Sequence, residues 1–298
     1  MQFLARSLVV MGASGRVGRL VGAGWAADPP DGLTIREQRR SGGAVPWQLS
    51  DGAAALALAI GRADVVLVLS GVTPAPGAEY GRNSALALAA MQAAALAGVG
   101  HVIVASSAAV YDPAGGAVLD EAAATGPLSD YGHAKLAMER ACLEWQSDHA
   151  RPGLTLLRIG NVAGTDLFFR KLVAATAAEP LQLDQFGDGS GPVRSYIGPA
   201  TLARVLACLC RCAALGDALP ALVNIGAPGG GVDMADFAPA LAALGHPVPM
   251  VRVAAPATAL PALRLNVSRL QSLCPMPPEA GLASTMVAEW LALRGAKP

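Results

Sequence analysis

The chain has 298 residues, of which 53% are hydrophobic and 15% are charged. This composition is typical of a globular protein and excludes a disordered chain. Lys and Arg together number 22, as do Asp and Glu, so no excess charge indicates nucleic acid or a membrane surface as a partner. No apolar run reaches the roughly 18 residues of a membrane span. Because five cysteines also fit a reducing compartment, we expect a cytoplasmic protein.

The first half of the sequence alternates short apolar runs with longer helical patterns, which is typical of a parallel sheet covered by helices on both faces. The run at 64–70 predicts a strand that is buried on both sides, because it is continuously apolar and rich in valine. The predicted strands are 7–11, 33–36, 64–70, 101–105 and 154–158, and the predicted helices are 16–27, 53–62, 83–97 and 131–146.

The pattern changes after residue 165. Helices are predicted at 167–178, 201–215 and 284–294, a glycine-rich loop at 186–193 and a strand at 221–225. The predicted fold class is α/β, a Rossmann-type doubly wound parallel sheet with a smaller C-terminal α/β lobe. Residues 1–165 would form the sheet domain, with elements returning to it at about 201–226, and residues 166–298 would form mainly the lobe.

Three cysteines, Cys208, Cys210 and Cys212, resemble a metal cluster at first sight. They lie in an apolar helical stretch, where a spacing of two points consecutive side chains to nearly opposite faces. We interpret them as buried core cysteines and predict no metal site.

Three glycines, Gly12, Gly15 and Gly18, follow the first predicted strand and open the first predicted helix. Glycine permits a tight turn and lets backbone N–H groups approach a pyrophosphate at the positive end of a helix. We therefore expect a dinucleotide here, so that residues 1–165 bind the cofactor and 166–298 mainly bind the substrate. The loop residues expected to contact the cofactor are Gly12, Ser14, Gly15, Arg16, Val17 and Gly18.

The end of the second predicted strand bears on the choice between NAD and NADP. NAD sites usually place a carboxylate there, which accepts hydrogen bonds from the adenosine ribose. Arg36 falls near this position, and Arg39 and Arg40 follow it. Because a guanidinium suits a 2′-phosphate, the sequence favours NADP over NAD. A solvated basic turn is the other interpretation, and Glu37 could still serve NAD.

Tyr131 and Lys135 lie four residues apart, on one face of a predicted helix. A tyrosine with an ordinary pKa of roughly 10 is a poor base at neutral pH. A neighbouring ammonium group favours the phenolate and can also hold a ribose hydroxyl. Ser107 follows the end of a buried predicted strand, where its hydroxyl could donate to a substrate carbonyl oxygen.

Three segments follow one another along the chain: the glycine loop GASGRVG at 12–18, SSAAVY at 106–111 and YGHAK at 131–135. Together they resemble the extended short-chain dehydrogenases of the NAD-dependent epimerase/dehydratase family. The resemblance implies hydride transfer between a substrate carbon and a nicotinamide. Tyr131 would move the hydroxyl proton, Lys135 would tune it and hold the ribose, and Ser107 would polarise the oxygen. A homodimer through helices 83–97 and 131–146 is also implied, although burial within the monomer explains their small apolar residues equally well.

Further segments extend the resemblance: DVV at 64–66 with SG at 70–71, LLRIGNVAG at 156–164, and GDG at 187–189 with VRSYI at 193–197. They imply that Asn161 faces the substrate and that Arg194 meets a substrate phosphate or acid. Gln48 would take the place of the adenine-contacting Asp, with Asp51 as the alternative. The cofactor contacts implied by these segments are Gln48, Leu49, Leu69, Ser70, Gly71 and Ile159.

Other positions depart from the sugar-nucleotide epimerases. Ala257, Thr258 and Leu263 occupy a region where those enzymes often carry a second arginine and an aromatic residue, although Arg252 or Arg264 could compensate. A sugar 4,6-dehydratase is disfavoured, because the residues directly after Ser107 are alanines and not the acid–base pair that elimination of water requires.

We therefore hypothesise an NAD(P)-dependent oxidoreductase or epimerase acting on a sugar or sugar derivative, with a small molecule as its partner. An NADPH-dependent reductase of a small non-sugar carbonyl compound is the alternative, favoured by the missing diphosphate contacts. A non-catalytic protein that senses NADP is a third hypothesis. It is disfavoured because Tyr131 and Lys135 are both present.

Overall fold

The structure is a computed structural model that describes residues 5–113 and 118–294. Its strands are β1 Arg6–Met11, β2 Leu33–Arg39, β3 Val45–Pro46, β4 Val65–Val68, β5 His101–Ser107, β6 Val118–Leu119, β7 Gly153–Ile159, β8 Asn161–Val162, β9 Leu181–Gln185, β10 Val193–Arg194, β11 Tyr196–Ile197, β12 Leu222–Ile225, β13 Val232–Asp233, β14 Met250–Ala254 and β15 Ala262–Leu265. Its helices are α1 Arg16–Ala27, α2 Gly52–Ile60, α3 Arg82–Ala97, α4 Asp130–Ser147, α5 Leu167–Ala174, α6 Pro199–Leu215, α7 Phe237–Ala243, α8 Ser268–Leu273 and α9 Ala283–Arg294.

A seven-stranded sheet dominates the described residues, with the strand order β12-β7-β5-β4-β1-β2-β3. All of its neighbouring strands run parallel. The chain runs outward from β1 through β2 to β3, and then returns to β4 on the other side of β1. The predicted doubly wound parallel sheet is thus confirmed. In such a sheet, ligands bind beyond the carboxyl ends of the strands where the order reverses, which here is between β1 and β4.

Helices cover both faces of this sheet. On one face α1 and α6 pack together, and the Trp25 indole of α1 donates a 2.8 Å hydrogen bond to the Ala203 carbonyl of α6. On the other face α2, α3 and α4 cover a second apolar core, which includes Ile60 of α2, Met91 of α3 and Met138 of α4. The small side chains of α3 are therefore buried largely within the monomer.

A third core lies in the C-terminal part of the chain. It contains Phe169 of α5, Phe237 of α7 and Trp290 of α9, and the ring of Phe169 packs edge-on against the other two. The strands here are short: β13, β10, β15 and β6 form one sheet, and β9 pairs with β14. The pairing of β8 with β11 brings Asn161 next to Tyr196 and places both just beyond the carboxyl end of β7.

Several elements differ from their predicted bounds. β2 continues to Arg39 instead of ending at residue 36, and α5 ends at Ala174 instead of residue 178. Thr176 closes a turn after α5, because its hydroxyl accepts a hydrogen bond from the N–H of Glu179 at 3.0 Å. No helix or strand is predicted between residues 226 and 283, yet the structure has β13–β15, α7 and α8 there. These elements are two to seven residues long, which is too short for periodicity to predict.

The cysteines of α6 differ from one another. Cys210 is buried and Cys212 is partly exposed, whereas Cys208 forms a disulfide with Cys274, with Cα atoms 6.2 Å apart. The prediction that all three are buried core thiols is therefore confirmed for Cys210 and wrong for the other two. Cys208 is bonded because its face of α6 packs against the segment that follows α8, and Cys212 lies on a more exposed face near the end of α6. No group of His, Cys, Asp and Glu in the described ranges is arranged to hold a metal ion. No helix of the described part of the chain has both the length and the hydropathy to cross a membrane.

Candidate active site

Two cavities open beside the glycine loop, at the carboxyl ends of β1, β4 and β5. The first, here called the catalytic cavity, has a volume of about 580 Å³ and contains the predicted catalytic residues. The second, here called the β2 cavity, has a volume of about 720 Å³ and lies toward the end of β2. They form one continuous crevice, since both are lined by Ser14, Gly15, Leu69, Gly71 and Val72.

The glycine loop brings the start of α1 against the end of β4. Gly12 has a φ of +83°, and a Cβ atom there would lie 2.4 Å from the backbone nitrogen of Ser70. A Cβ atom on Gly18 would lie 2.3 Å from the Gly12 carbonyl oxygen, so neither glycine can be replaced without moving the loop. α1 begins at Arg16, directly after Gly15, and has neither a side-chain cap nor an acid in its first turn. Its first N–H groups are therefore available to a pyrophosphate, so the loop fits a dinucleotide.

Gln38 occupies the end of β2 beside the glycine loop. Its amide accepts a hydrogen bond from the Gly12 N–H at 3.4 Å and donates one to the Trp47 carbonyl at 2.6 Å, which fixes the side chain. Arg39 and Arg40 follow it and line the β2 cavity, both exposed. The end of β2 thus carries a neutral amide and two guanidinium groups.

Arg36 lies outside both cavities, and its guanidinium donates to the Ile60 carbonyl at the end of α2. The cause is the length of β2. Because the strand continues past residue 36 and side chains alternate between faces, Gln38 lies on the same face as Arg36 but closer to the crevice. The two candidates for the adenine contact also differ in position. Gln48 lines the β2 cavity, whereas Asp51 does not line it and its carboxylate accepts a hydrogen bond from the Gln48 N–H at 2.9 Å.

Tyr131 lies in the first turn of α4, at the catalytic cavity. The helix is capped by Ser129, whose hydroxyl accepts a 3.1 Å hydrogen bond from the N–H of Gly132. A Cβ atom on Gly132 would lie 2.3 Å from the Ala109 carbonyl oxygen, so this glycine lets α4 approach the turn that follows β5. The Tyr131 hydroxyl consequently lies close to Ser107 at the end of β5 and interacts with it.

The environment of Tyr131 keeps its hydroxyl protonated. Burial raises its pKa above the ordinary value, and the interaction with the Ser107 hydroxyl and the positive charge of Arg16 offset part of this rise. The Ser107 hydroxyl accepts a 3.2 Å hydrogen bond from the Ala109 N–H, which leaves its own proton free to donate.

Lys135 is almost fully buried one turn further along α4. Its amino group donates to the Ala105 carbonyl of β5 at 2.9 Å. It also lies so close to Gly71 that a Cβ atom there would be 3.2 Å from Nζ. Burial lowers the pKa of Lys135 to about 8, and the carboxylate of Glu139 offsets part of this effect. Lys135 therefore binds α4 to β5 and lies against the loop after β4.

A buried ion pair lies behind these residues, and the sequence analysis missed it. Glu139 of α4 accepts hydrogen bonds from the Arg158 guanidinium of β7, the shortest at 2.7 Å, and from the Ser106 hydroxyl at 2.5 Å. The Arg158 guanidinium lies 4.7 Å above the centre of the Tyr111 ring, and the Tyr111 hydroxyl donates to Asn224 at 2.7 Å. The network thus fixes the carboxyl end of β5 relative to α4, β7 and β12.

Asp166 is a further residue of the site that the sequence motifs do not predict. One of its carboxylate oxygens accepts hydrogen bonds from the Tyr196 hydroxyl at 2.6 Å and from the Asn161 amide at 2.8 Å. The other accepts the Phe169 N–H at 2.8 Å and caps α5. Burial raises the pKa of Asp166, and these hydrogen bonds and the charge of Arg16 offset part of the rise. The predicted substrate contact Asn161 is therefore held in place by an acid at the cavity wall.

Arg194 does not reach the catalytic cavity. Its guanidinium donates to the backbone carbonyls of Val193 and Leu260, both at 2.8 Å, and to the Pro261 carbonyl at 3.4 Å. Burial lowers its pKa. The parallel pairing of β10 with β15 places these carbonyls around the side chain.

The structure thus brings most of the predicted site residues to the crevice. Those that line the catalytic cavity are Ser14, Gly15, Arg16, Val17, Gly18, Leu69, Gly71, Ser107, Tyr131, Lys135, Ile159 and Asn161. Those that line only the β2 cavity are Gly12, Gln48, Leu49 and Ser70. Arg36 and Arg194 line neither.

A family of known proteins matches most of the sequence. The family described as "NAD dependent epimerase/dehydratase family" matches residues 8–225, which span the seven strands of the main sheet from β1 to the end of β12. None of the curated proteins matches the sequence significantly.

Solved structures share the fold over nearly the whole chain. The UDP-glucose 4-epimerase from Brucella ovis in complex with NAD has a TM-score of 0.79 and 20% identity, covering 95% of this chain and 96% of its own. The UDP-Glc/GlcNAc 4-epimerase from Campylobacter jejuni has a TM-score of 0.78 and 17% identity, covering 97% and 99%. MoeE5 in complex with UDP-glucose and NAD has a TM-score of 0.74 and 24% identity, covering 96% and 99%.

Proposed function

Since this chain belongs to the NAD dependent epimerase/dehydratase family, we propose that it transfers hydride at a hydroxyl-bearing or carbonyl carbon of a sugar or sugar derivative. It is an NAD(P)-dependent enzyme of the extended short-chain dehydrogenase type. The observation that carries the proposal is the meeting of Ser107, Tyr131 and Lys135 at one cavity, next to a glycine loop that fits a dinucleotide. The dinucleotide would supply or accept the hydride.

Tyr131 would act as the acid or base of this reaction. In the oxidation of a hydroxyl group, its oxygen would take the substrate proton, and in the reduction of a carbonyl it would return that proton. Ser107 would donate a hydrogen bond to the same substrate oxygen, since accepting the Ala109 N–H engages one of its lone pairs and not its proton.

Lys135 would favour the phenolate form of Tyr131 through its positive charge and would hold a ribose hydroxyl. Its place beside Gly71, at the wall shared by the two cavities, supports the second role. The pKa of about 8 keeps most Lys135 side chains charged at neutral pH.

We propose NADP as the preferred dinucleotide. The support is the end of β2, where Gln38 provides no carboxylate for ribose hydroxyls and Arg39 and Arg40 line the same cavity. Guanidinium groups bind phosphate oxygens in forked hydrogen bonds, and a free carboxylate would repel the 2′-phosphate. Glu37, the acid that could still serve NAD, is paired with Arg39 at 2.8 Å.

A sugar or sugar derivative is proposed as the substrate because the solved structures with this fold include several UDP-sugar epimerases. Re-reduction of a ketone intermediate from its other face would make the enzyme an epimerase, and release of the ketone would make it a dehydrogenase. We also propose a homodimer through α3 and α4, since Leu96 and Leu143 on these helices remain exposed. Light scattering of the purified protein would test that assembly.

Titration of the purified protein with NADPH and NADH, followed by cofactor fluorescence, tests the proposed function first. We expect NADPH to bind more tightly. The complex of protein and oxidised cofactor is then incubated with UDP-glucose, UDP-N-acetylglucosamine and UDP-glucuronate, and the sugars are examined by NMR for oxidation or inversion.

Two results would contradict the proposal in different ways. Failure to bind either dinucleotide would contradict the proposal that the protein is an oxidoreductase. Binding of NADPH together with reduction of simple aldehydes or ketones, and no reaction of any sugar, would replace the sugar substrate by a small carbonyl compound.

A further inference from the structure

The catalytic cavity carries more positive charge than the chain as a whole. The formal net charge of the chain is zero. The charged side chains that line the cavity, besides Lys135, are those of Arg16, Arg19, Arg170 and Asp166. Among the described residues of this lining, Asp166 is the one acid, so the cavity holds an excess of cations.

Asp166 is already saturated with hydrogen bonds. Its two oxygens accept from the Tyr196 hydroxyl, the Asn161 amide and the Phe169 N–H, all within 2.8 Å. None of the ion pairs in the described part of the chain joins Asp166 to an arginine. Asp166 therefore holds other residues of the cavity wall in place and forms no ion pair with the arginines of the cavity.

Arg16 faces the reacting end of the crevice. It lines the catalytic cavity and not the β2 cavity. Its guanidinium donates a 2.5 Å hydrogen bond to the hydroxyl of Thr73 in the loop after β4. Its charge lowers the pKa of both Tyr131 and Asp166, so it lies near the catalytic tyrosine. A neutral hydroxyl is a weak partner for a guanidinium, which binds anions more strongly.

Arg170 approaches the same cavity from α5. It follows Asp166 by one helical turn and is exposed, without an ion pair to an acid of the described ranges. Arg19 differs from both, since its guanidinium donates to the Ser14 carbonyl at 2.7 Å. Two guanidinium groups, from α1 and α5, are therefore available at the cavity.

We propose that Arg16 and Arg170 bind a negatively charged group, a carboxylate or a phosphate ester, that the substrate carries on its reacting sugar unit. This inference rests on the proposed function, because it needs a substrate carbon next to Tyr131. It adds that the reacting unit itself is acidic, independent of any nucleotide diphosphate. A pocket for a neutral sugar would instead leave both guanidinium groups without an anion.

Matched pairs of ligands separate this charge from all other contacts. The complex of the protein with NADPH is titrated with UDP-glucuronate and UDP-glucose, which differ only in a carboxylate, and with glucose 6-phosphate and glucose, which differ only in a phosphate ester. We expect the charged member of at least one pair to bind about tenfold more tightly or better, the effect of a charge-assisted hydrogen bond. The pair that responds identifies the anion.

Variants assign that preference to the two arginines. Arg16→Gln and Arg170→Gln should each reduce the ratio of affinities within the responding pair, and the double variant should bring it close to one. Arg140→Gln serves as the control, because Arg140 is exposed on α4 and lines neither cavity. It should leave the ratio unchanged.

Three results would overturn the inference. The first is equal affinity within both pairs, including no binding of any of the four ligands to the NADPH complex. The second is a preference that survives in the double variant. The third is an Arg16→Gln variant that loses affinity for NADPH while the ratio stays the same, because Arg16 would then bind the cofactor pyrophosphate. Failure of the wild-type protein to bind NADPH would instead contradict the proposed function.

Discussion

The two cavities lie side by side along one glycine loop but are built in different ways. In the catalytic cavity, Lys135 is buried and the neighbouring strand end is held by the ion pair between Glu139 and Arg158. In the β2 cavity, Arg39, the last residue of β2, and Arg40, which follows it, are both exposed. Buried charges are costly to leave unpaired, whereas exposed ones are hydrated by water.

This difference indicates which properties of the protein can change independently. A substitution at the catalytic cavity alters a network that also holds the sheet together, so chemistry and stability are coupled there. At the β2 cavity, replacement of Arg39 or Arg40 alters contacts to the cofactor and, within the protein, the exposed ion pair between Arg39 and Glu37, which adds little stability. The choice of dinucleotide is therefore largely separate from the fold. The following four predictions test this contrast.

Tyr131→Phe should have the largest effect on turnover. Loss of the acid–base hydroxyl should lower kcat by about 10²- to 10⁴-fold, while the dissociation constant for NADPH stays close to that of the wild type. Steady-state kinetics and cofactor fluorescence measure the two quantities. Tyr80→Phe is the control, since the Tyr80 ring lies 6.3 Å from that of Tyr131 but does not line the catalytic cavity. Substantial turnover in Tyr131→Phe would exclude its assigned role.

Glu139→Gln should cause the largest loss of stability. It leaves the buried Arg158 guanidinium without its carboxylate partner, which typically costs about 3–5 kcal/mol. Urea denaturation measures the free energy of unfolding, with Glu144→Gln on the exposed face of α4 as the control. Combining Glu139→Gln with Arg158→Gln should recover part of the loss, because the unpaired charge is then absent. A loss as small as that of the control would show that the pair does not organise the site.

Replacement of Arg39 and Arg40 by serine should change the cofactor preference without changing stability. The ratio of NADPH to NADH affinity should fall about 10- to 100-fold, as expected for the loss of charge-assisted hydrogen bonds to a 2′-phosphate. Arg36→Gln is the matched control, since the Arg36 guanidinium binds the Ile60 carbonyl outside both cavities. If Arg36→Gln changed the ratio and the serine variant did not, Arg36 and not Arg39 or Arg40 would determine the cofactor preference.

The pH dependence of the reaction should show the smallest effect. Lys135 has a pKa of about 8, lowered by burial, so its ammonium form is lost as the pH rises through this value. In the reduction of a carbonyl, kcat/KM should therefore fall about tenfold between pH 8 and pH 9–9.5. Lys135→Arg keeps its charge in this range, so any residual activity should lack the alkaline decrease. A decrease of the same size in that variant would assign it to another group.

The sequence predicted the residues that lie within short motifs. The glycine loop, Ser107, and the pair Tyr131 and Lys135 each lie at or near the end of a predicted strand or the start of a predicted helix. The resemblance of their motifs to one family assigns them to one site. Gln38 was not identified, because β2 is three residues longer than its apolar pattern and the residue facing the crevice is therefore two positions later.

Partners that are distant in sequence could not be predicted in the same way. Asn161 and Tyr196 bind the same carboxylate of Asp166, although 35 residues separate them. A signal for the buried ion pair was nevertheless present. Arg158 lies within the apolar run LTLLRI, and a charge inside a strand buried on both faces requires a partner of opposite charge.

The edge strand β12 affects how the protein can be synthesised. It is formed by residues 222–225, and it pairs with β7, which ends more than sixty residues earlier. α6, which precedes it, covers the face of the sheet shared with α1. A nascent chain that has emerged from the ribosome only as far as residue 165 thus has its whole cofactor loop, but an apolar face that only α1 covers. The sheet is complete only when residue 225 has emerged, and until then the uncovered part of this face is a surface at which chaperones can bind and aggregation can begin.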